Sequence, residues 1–266
     1  MTSDAATSDA ATSGVTSGGT GTPGTDLAAV LDGIEGWFSA EQVARVSSRA
    51  AAVPAGGRIV EIGSFRGRSM VAIALSAPEG AEIVAIDPHA GNDRGPQEIE
   101  GFTDEAAQDS EVFLANLERA GVRTRVTYVR KFSHDALDDV ASPIDVLHID
   151  GAHRLAPARD DIRRWGAKVS PGGTMLIHDS FSSVGVTAAV TVQLMFSGGW
   201  RYAGRSRSLA EYRKEPVRGA ARAGNVARQL AQVPWFARNV AIKALVVAHL
   251  GRLAKALGHD GQTWPY

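Results

Sequence analysis

Two aspartates and a histidine are the residues of this 266-residue chain best suited to chemistry. They lie in His148-Ile-Asp150-Gly-Ala-His153 and in His178-Asp179-Ser180. Each stretch closes a short apolar run, so each acid is expected at the carboxyl end of a buried strand. In an open parallel sheet, ligands bind beyond those ends. Asp150 and Asp179 are hard oxygen donors suited to Mg²⁺ or a similar cation. A cation there would hold a substrate hydroxyl and lower its pKa. His153 is expected to take that proton, since an imidazole titrates near ~6.5. His148 reads as a core histidine within its strand, and His178 as structural. His89 reads equally as pocket-lining or exposed.

A second group of residues suits ligand binding. An earlier strand ends in Glu61-Ile-Gly63-Ser64-Phe-Arg-Gly67-Arg-Ser69. Gly63 and Gly67 allow a tight turn and a close approach of backbone to ligand. Ser69 is expected to cap the next helix, whose first amides would face the cleft. Glu61 suits a cationic ligand group. The following strand closes on Asp87, where an acid can accept hydrogen bonds from two ribose hydroxyls. The plain alternatives are a packing turn for the glycines and a turn-capping role for Asp87 before Pro88. The loop lacks G-x-G-x-x-G, which weighs against a nicotinamide-dependent oxidoreductase.

The elements that must position these residues follow from periodicity. Strands are expected at 59–62, 82–87, 125–130, 145–150 and 174–178, and helices near 68–77, 105–120, 134–139 and 156–168. Such alternation predicts a Rossmann-like, doubly wound α/β sheet with parallel strands. A helix near 184–197 and strands at 200–205 and 209–214 follow. The short link between that last pair predicts an antiparallel final strand. Upstream, Leu27, Val30, Leu31 and Ile34 have helical spacing. Ser39 and Gln42 form a capping box for a second helix that runs to Pro54.

Composition bounds the rest. Residues 1–25 are a repetitive Thr/Ser/Ala/Gly run, expected to be a disordered tail. The domain proper is assigned to 26–215. Residues 216–266 form a basic helical extension with seven Lys or Arg against Asp260 alone. Its aromatic residues Trp235 and Phe236 and its apolar helix suit an anionic membrane surface. They equally suit packing on the parent domain or on a second subunit in a homo-oligomer. The whole chain has net charge −1, which excludes a generally basic nucleic-acid binder. It has no cysteine, so no thiolate ligand and no disulfide. No Lys or Arg precedes Arg45, and no apolar run is long enough to span a bilayer, so a cytoplasmic protein is expected. The acidic stretch from Ala90 to Asp109 reads as a lid or substrate loop, with a solvated insertion as the alternative. Trp37 and Phe38 read either as closing the cleft or as core.

Taken together, VEIGSFRGRS, VAIDPHAG, HIDGAH, Asp161-Ile-Arg-Arg-Trp165 and SPGGTMLIHDS resemble class I S-adenosylmethionine-dependent methyltransferases. The nearest resemblance is to metal-dependent O-methyltransferases of the macrocin and mycinamicin type, from secondary metabolism. The resemblance covers about two-thirds of the chain, from Ile34 to Lys214. It implies S-adenosylmethionine as cofactor, held by Glu61, Gly63, Ser64, Gly67, Ser69, Asp87, Ser133 (near the adenine) and Asp150. It implies a divalent cation, Mg²⁺ or another, on Asp150, Asp179 and the position of Ser180, where the family usually has a second acid or an amide. His153 becomes the general base, and the acceptor a hydroxyl of a small molecule or glycan. A non-catalytic cofactor-binding scaffold is the alternative that Ser180 keeps open.

Overall fold

The computed structural model describes residues 26–91 and 103–259. The expected tail at 1–25 and the lid residues Asp93, Glu98 and Glu100 lie outside the described residues, as do the side chains of Asp104 and Glu105. Seven strands form one sheet: β1 Arg58–Ile62, β2 Glu82–Ile86, β3 Val126–Val129, β4 Ile144–Ile149, β5 Val169–Ile177, β6 Trp200–Ser206 and β7 Leu209–Lys214. Their order is β3-β2-β1-β4-β5-β7-β6. Strands β1 to β5 are parallel, and β7 runs antiparallel between β5 and β6. The order reverses between β1 and β4, which places the crevice between their carboxyl ends.

Side chains alternate between the sheet's two faces, as the strand period of two requires. Ile59 and Val146 pack with one core, beneath α1 (Leu27–Leu31), α2 (Ala40–Ala51), α3 (Arg68–Ser76) and α4 (Thr103–Arg119). Val60, Ile62, Leu147 and Ile149 pack with the other, beneath α5 (Leu155–Lys168) and α6 (Val184–Val190). Trp165 anchors this second core from α5 and is almost wholly buried. The Ser39–Gln42 capping box forms as expected.

Several elements differ from expectation. The stretch 134–139 is a run of turns, since so short a segment cannot repay helix nucleation. Pro171-Gly-Gly lies within β5 as a bulge, so that Ile144 pairs with Val169 but Val146 with Thr174. After Val190 the chain widens into a π turn, Thr191–Met195, where Thr187 and Thr191 each donate back to a carbonyl four residues earlier. The helical extension expected at 216–266 includes α8 (Val233–Val247) and α9 (Gly251–Ala256), separated by a break at His249 with its φ of +59°.

The extension packs on the sheet through buried amides. Asn225, on α7 (Gly219–Leu230), accepts from Tyr202 N at 2.8 Å and donates to Trp200 O at 3.1 Å. Gln229 accepts from the Tyr212 hydroxyl at 3.0 Å. Trp235 and Phe236 are half-buried against the second core, and the Arg205 guanidinium lies 3.8 Å from the Trp235 ring centroid. These two aromatics therefore face their own domain. No described helix is long and apolar enough to cross a membrane.

Candidate active site

The ends of β1 and β4 meet without a side chain between them. A Cβ on Gly63 would fall 2.1 Å from the Asp150 carbonyl oxygen, and Gly63 has a φ of +82°. Gly67, with a φ of +90°, sits 3.0 Å from the Phe113 ring by the same construction. Contacts within the chain therefore require both glycines, whatever the loop binds. Gly67 is also the N-cap of α3 and offers no side chain to its first amides. Ser69, the expected cap, lies inside the helix and is buried.

The loop is tied down by both acids. Glu61 is wholly buried; Ser64 Oγ donates to its Oε2 at 2.7 Å, and His148 Nδ1 lies 2.9 Å from its Oε1. Each of its carboxylate oxygens has one partner within the chain. The loop and His148 occupy its carboxylate. His148 Nε2 is buried and has no hydrogen-bond partner among the described residues. Asp87 Oδ2 accepts from Ser64 N at 2.8 Å and Phe65 N at 2.9 Å, while Oδ1 accepts from His89 N at 2.8 Å. That side chain is 14% exposed, and its Oδ1 takes one bond, so acceptor capacity remains there. His89 is buried, with Nε2 2.7 Å from Phe65 O and Nδ1 2.5 Å from the Tyr128 hydroxyl. It bridges the glycine loop to β3 and is not exposed.

Beyond β4 and β5 the two aspartates and two histidines converge. His153 Nε2 lies 2.7 Å from Asp179 Oδ2. His178 Nδ1 faces both acids, 3.1 Å from Asp150 Oδ1 and 3.3 Å from Asp179 Oδ2. Burial alone would raise the Asp179 pKa, but His178 and His153 outweigh it and hold the carboxyl well below the usual range. Asp179 and Phe181 have φ values of +55° and +59°, a left-handed conformation that costs about 1 kcal/mol or more in such residues. Ser180 Oγ donates to Ile177 O at 3.0 Å and Asn239 on α8 donates to Phe181 O at 3.2 Å, which hold this turn. The Ser180 hydroxyl proton is thereby turned back onto β5. The structure groups Asp150, His153 and Asp179, whose ligand atoms lie within 4.8 Å of one another. Asp179 Oδ1 is buried without a hydrogen-bond partner among the described residues. An oxygen so placed fits a cation, and the donor set matches one that accepts both carboxylate and imidazole.

The turn after Asp150 is backed by α6. A Cβ on Gly185 would fall 2.2 Å from His153 O, and Ser183 Oγ donates to that same oxygen at 3.3 Å.

Two residues that sequence reasoning did not place in the site support it. Gln42, buried on α2, accepts from Ser39 N at 2.7 Å through Oε1. That capping bond turns its NH₂ toward Ser208 Oγ at 3.1 Å and His178 Nε2 at 3.0 Å. A donor at Nε2 sets the His178 hydrogen on Nδ1, facing the aspartates. Burial lowers the His178 pKa while Asp150 and Asp179 raise it further, with the net direction upward. Gln42 opposes the second proton. Gln42→Leu is expected to cost ~1–3 kcal/mol, because it strands buried polar partners. Urea unfolding of the two proteins measures it.

Asp161 on α5 is the other. Ser133 Oγ donates to its Oδ1 at 2.5 Å, and Trp165 Nε1 donates to Ser133 O at 3.2 Å. Its other oxygen lies 3.6 Å from where a Gly151 Cβ would stand, beneath the turn from Asp150 to His153. Burial pushes its pKa up to about 6, against the Ser133 hydrogen bond. The folded protein therefore holds this proton more tightly than the unfolded chain, and stability falls as pH rises from about 4 to about 6. Asp161→Asn removes that dependence. The stability gap between pH 4 and pH 7 is expected to shift by roughly 3 kcal/mol relative to the native chain. Chemical denaturation at the two pH values checks it.

Comparison with known proteins agrees with this geometry. Residues 60–180 match a family described as a methyltransferase domain. That match spans somewhat less than half of the chain. An uncharacterized protein, y4gI, of Sinorhizobium fredii (strain NBRC 101917 / NGR234) is 30% identical over 128 residues. That match covers 46% of this chain but only 13% of the relative's length. Among solved structures, cofactor-bound Rv0187 from MTB superposes with a TM-score of 0.51 at 21% identity, covering 71% of this chain and 87% of that one. The O-methyltransferase NovP gives 0.51 at 18% identity, covering 66% and 80%. A Corynebacterium glutamicum protein gives 0.55 at 14%, covering 73% and 92%. At these identities the likeness is one of fold. The matched stretch begins one residue before Glu61 and ends at Ser180, so it contains the glycine loop, Asp87 and the acid–histidine cluster.

Proposed function

We propose that the chain is an S-adenosylmethionine-dependent O-methyltransferase acting on a hydroxyl of a small molecule or glycan. The observation that carries this reading is the His153–Asp179 pair at 2.7 Å, beside Asp150 at the crevice of a methyltransferase domain. An imidazole backed by a carboxylate is what an unactivated hydroxyl needs. Asp87 would hold the ribose through its remaining acceptor capacity. The first amides of α3 would meet the carboxylate of the methionine part. Ser133, kept in place by Asp161 and Trp165, would lie near the adenine.

S-adenosylmethionine supplies an electrophilic methyl on a sulfonium. The acceptor oxygen forms its bond to that methyl as the carbon–sulfur bond breaks, and S-adenosylhomocysteine is the other product. His153 accepts the hydroxyl proton, and Asp179 stabilises the imidazolium so formed. Positioning supplies much of the remaining rate. Asp150 and Asp179 would hold a divalent cation, which supplies Lewis acidity toward the acceptor oxygen.

Calorimetric titration with S-adenosylhomocysteine, on the native chain and on Asp87→Ala, tests the reading. Micromolar binding that the substitution abolishes supports it. Absence of binding with and without Mg²⁺ overturns it. The cation has its own test. Mg²⁺ or Mn²⁺ well above its dissociation constant is expected to raise the melting temperature of the native chain and not of Asp179→Asn.

A further inference from the structure

The extension presents a surface that the catalytic reading does not use. Helix α8 buries Asn239, Ile242 and Lys243 against the domain. Its outer side is Val233, Pro234, Ala237, Ala241, Ala244 and Val247, and no charged residue of α8 is exposed. Across the break at His249 this apolar strip continues into Leu250, Leu253 and Leu257, which are 48%, 54% and 39% exposed. Arg252 and Lys255 are exposed among these leucines on α9, and Arg218, Arg222 and Arg228 are exposed on and beside α7. The Arg238 side chain ties the two helices together by donating to Leu257 O at 2.7 Å. A contiguous exposed apolar strip marks a contact surface.

We infer that this strip, with its flanking arginines and lysine, docks the protein in the plane of an anionic lipid bilayer. The charge pattern selects that occupant. Residues 216–259 contain no Asp or Glu. A two-fold contact between copies through this face would set cation against cation with no acid to answer it. An anionic headgroup layer answers Arg252 and Lys255 beside the leucines, while the leucines and the outer side of α8 enter the acyl boundary. Trp235 and Phe236 take no part, since they pack inward.

The test is co-sedimentation of the full chain with vesicles of phosphatidylcholine alone and of phosphatidylcholine with an equal part of phosphatidylglycerol. The native chain is expected to pellet with the anionic vesicles and to stay in solution with the neutral ones. Arg252→Gln with Lys255→Gln is expected to weaken partitioning about 30-fold. Leu250→Ser with Leu253→Ser is expected to weaken it at unchanged charge. Both pairs are surface residues, and circular dichroism verifies that each variant folds. Failure of the native chain to pellet overturns the inference, as does unchanged binding by both variants. A native dimer in light scattering that the leucine pair dissociates, without vesicle binding, would give the face to a second copy instead. None of these readouts depends on methyl transfer.

Discussion

His153→Ala is expected to lower methyl transfer by about 10²–10⁴-fold while leaving S-adenosylhomocysteine affinity unchanged. The reasoning is local. His153 stands against Asp179 at 2.7 Å, beyond the end of β4, whereas the glycine loop follows β1. Removing it takes away the group proposed to accept the hydroxyl proton. Asp179 retains His178 at 3.3 Å, so its buried charge keeps a partner and the turn survives. Turnover measured with an accepted hydroxyl substrate, beside calorimetry of the same variant, separates the two effects. A variant that loses cofactor affinity along with turnover would show that His153 builds the pocket and does not act as the base.

Gly63→Ala is expected to be the most damaging single methyl in the domain. The added carbon would stand 2.1 Å from the Asp150 carbonyl oxygen and 2.8 Å from Gly151 N, against backbone on a neighbouring strand end. Neither atom can swing aside as a side-chain tip could. The φ of +82° adds conformational strain to the clash. A loss of roughly 3 kcal/mol or more is expected, with β1 and β4 forced apart at the crevice. Thermal melting of the variant, with Gly80→Ala as a control, isolates the clash. Gly80 has a similar φ of +80° but open space around its Cα.

How much of this was legible in the sequence depended on the kind of information each residue carries. Strand ends follow from hydrophobic period, so Asp87, Asp150 and Asp179 could be placed at the carboxyl edge of a sheet. His153 followed because it lies three residues past one of them. The capping box was also readable, because Ser39 and Gln42 are local to each other. That Gln42 then reaches His178 was not, since 136 residues separate them and only the packing of α2 on the sheet joins them. Asp161 belonged to a recognisable stretch, yet nothing local says that a helix acid will bury itself under Ser133. Ser180 shows a different limit. Which way a hydroxyl points is decided by turn geometry, and the left-handed residues at 179 and 181 turn Ser180 back onto its own strand. The glycines carry a further demand that no local pattern announces, since an added Cβ on Gly63 would meet the Asp150 carbonyl from a distant part of the chain.

The close approach of Gly185 to the His153 carbonyl carries one more consequence. The turn that bears the histidine and the helix that follows its aspartate touch backbone to backbone. They must open together or not at all. Amide protons from Gly151 to Arg154 and from Ser182 to Gly185 should therefore exchange with solvent at a common opening free energy. A pair locked in this way holds its spacing through any closure of the surrounding loops. Acceptors of different shape would then be accommodated at the rim of the crevice, while the pair proposed as the base stays a fixed reference point.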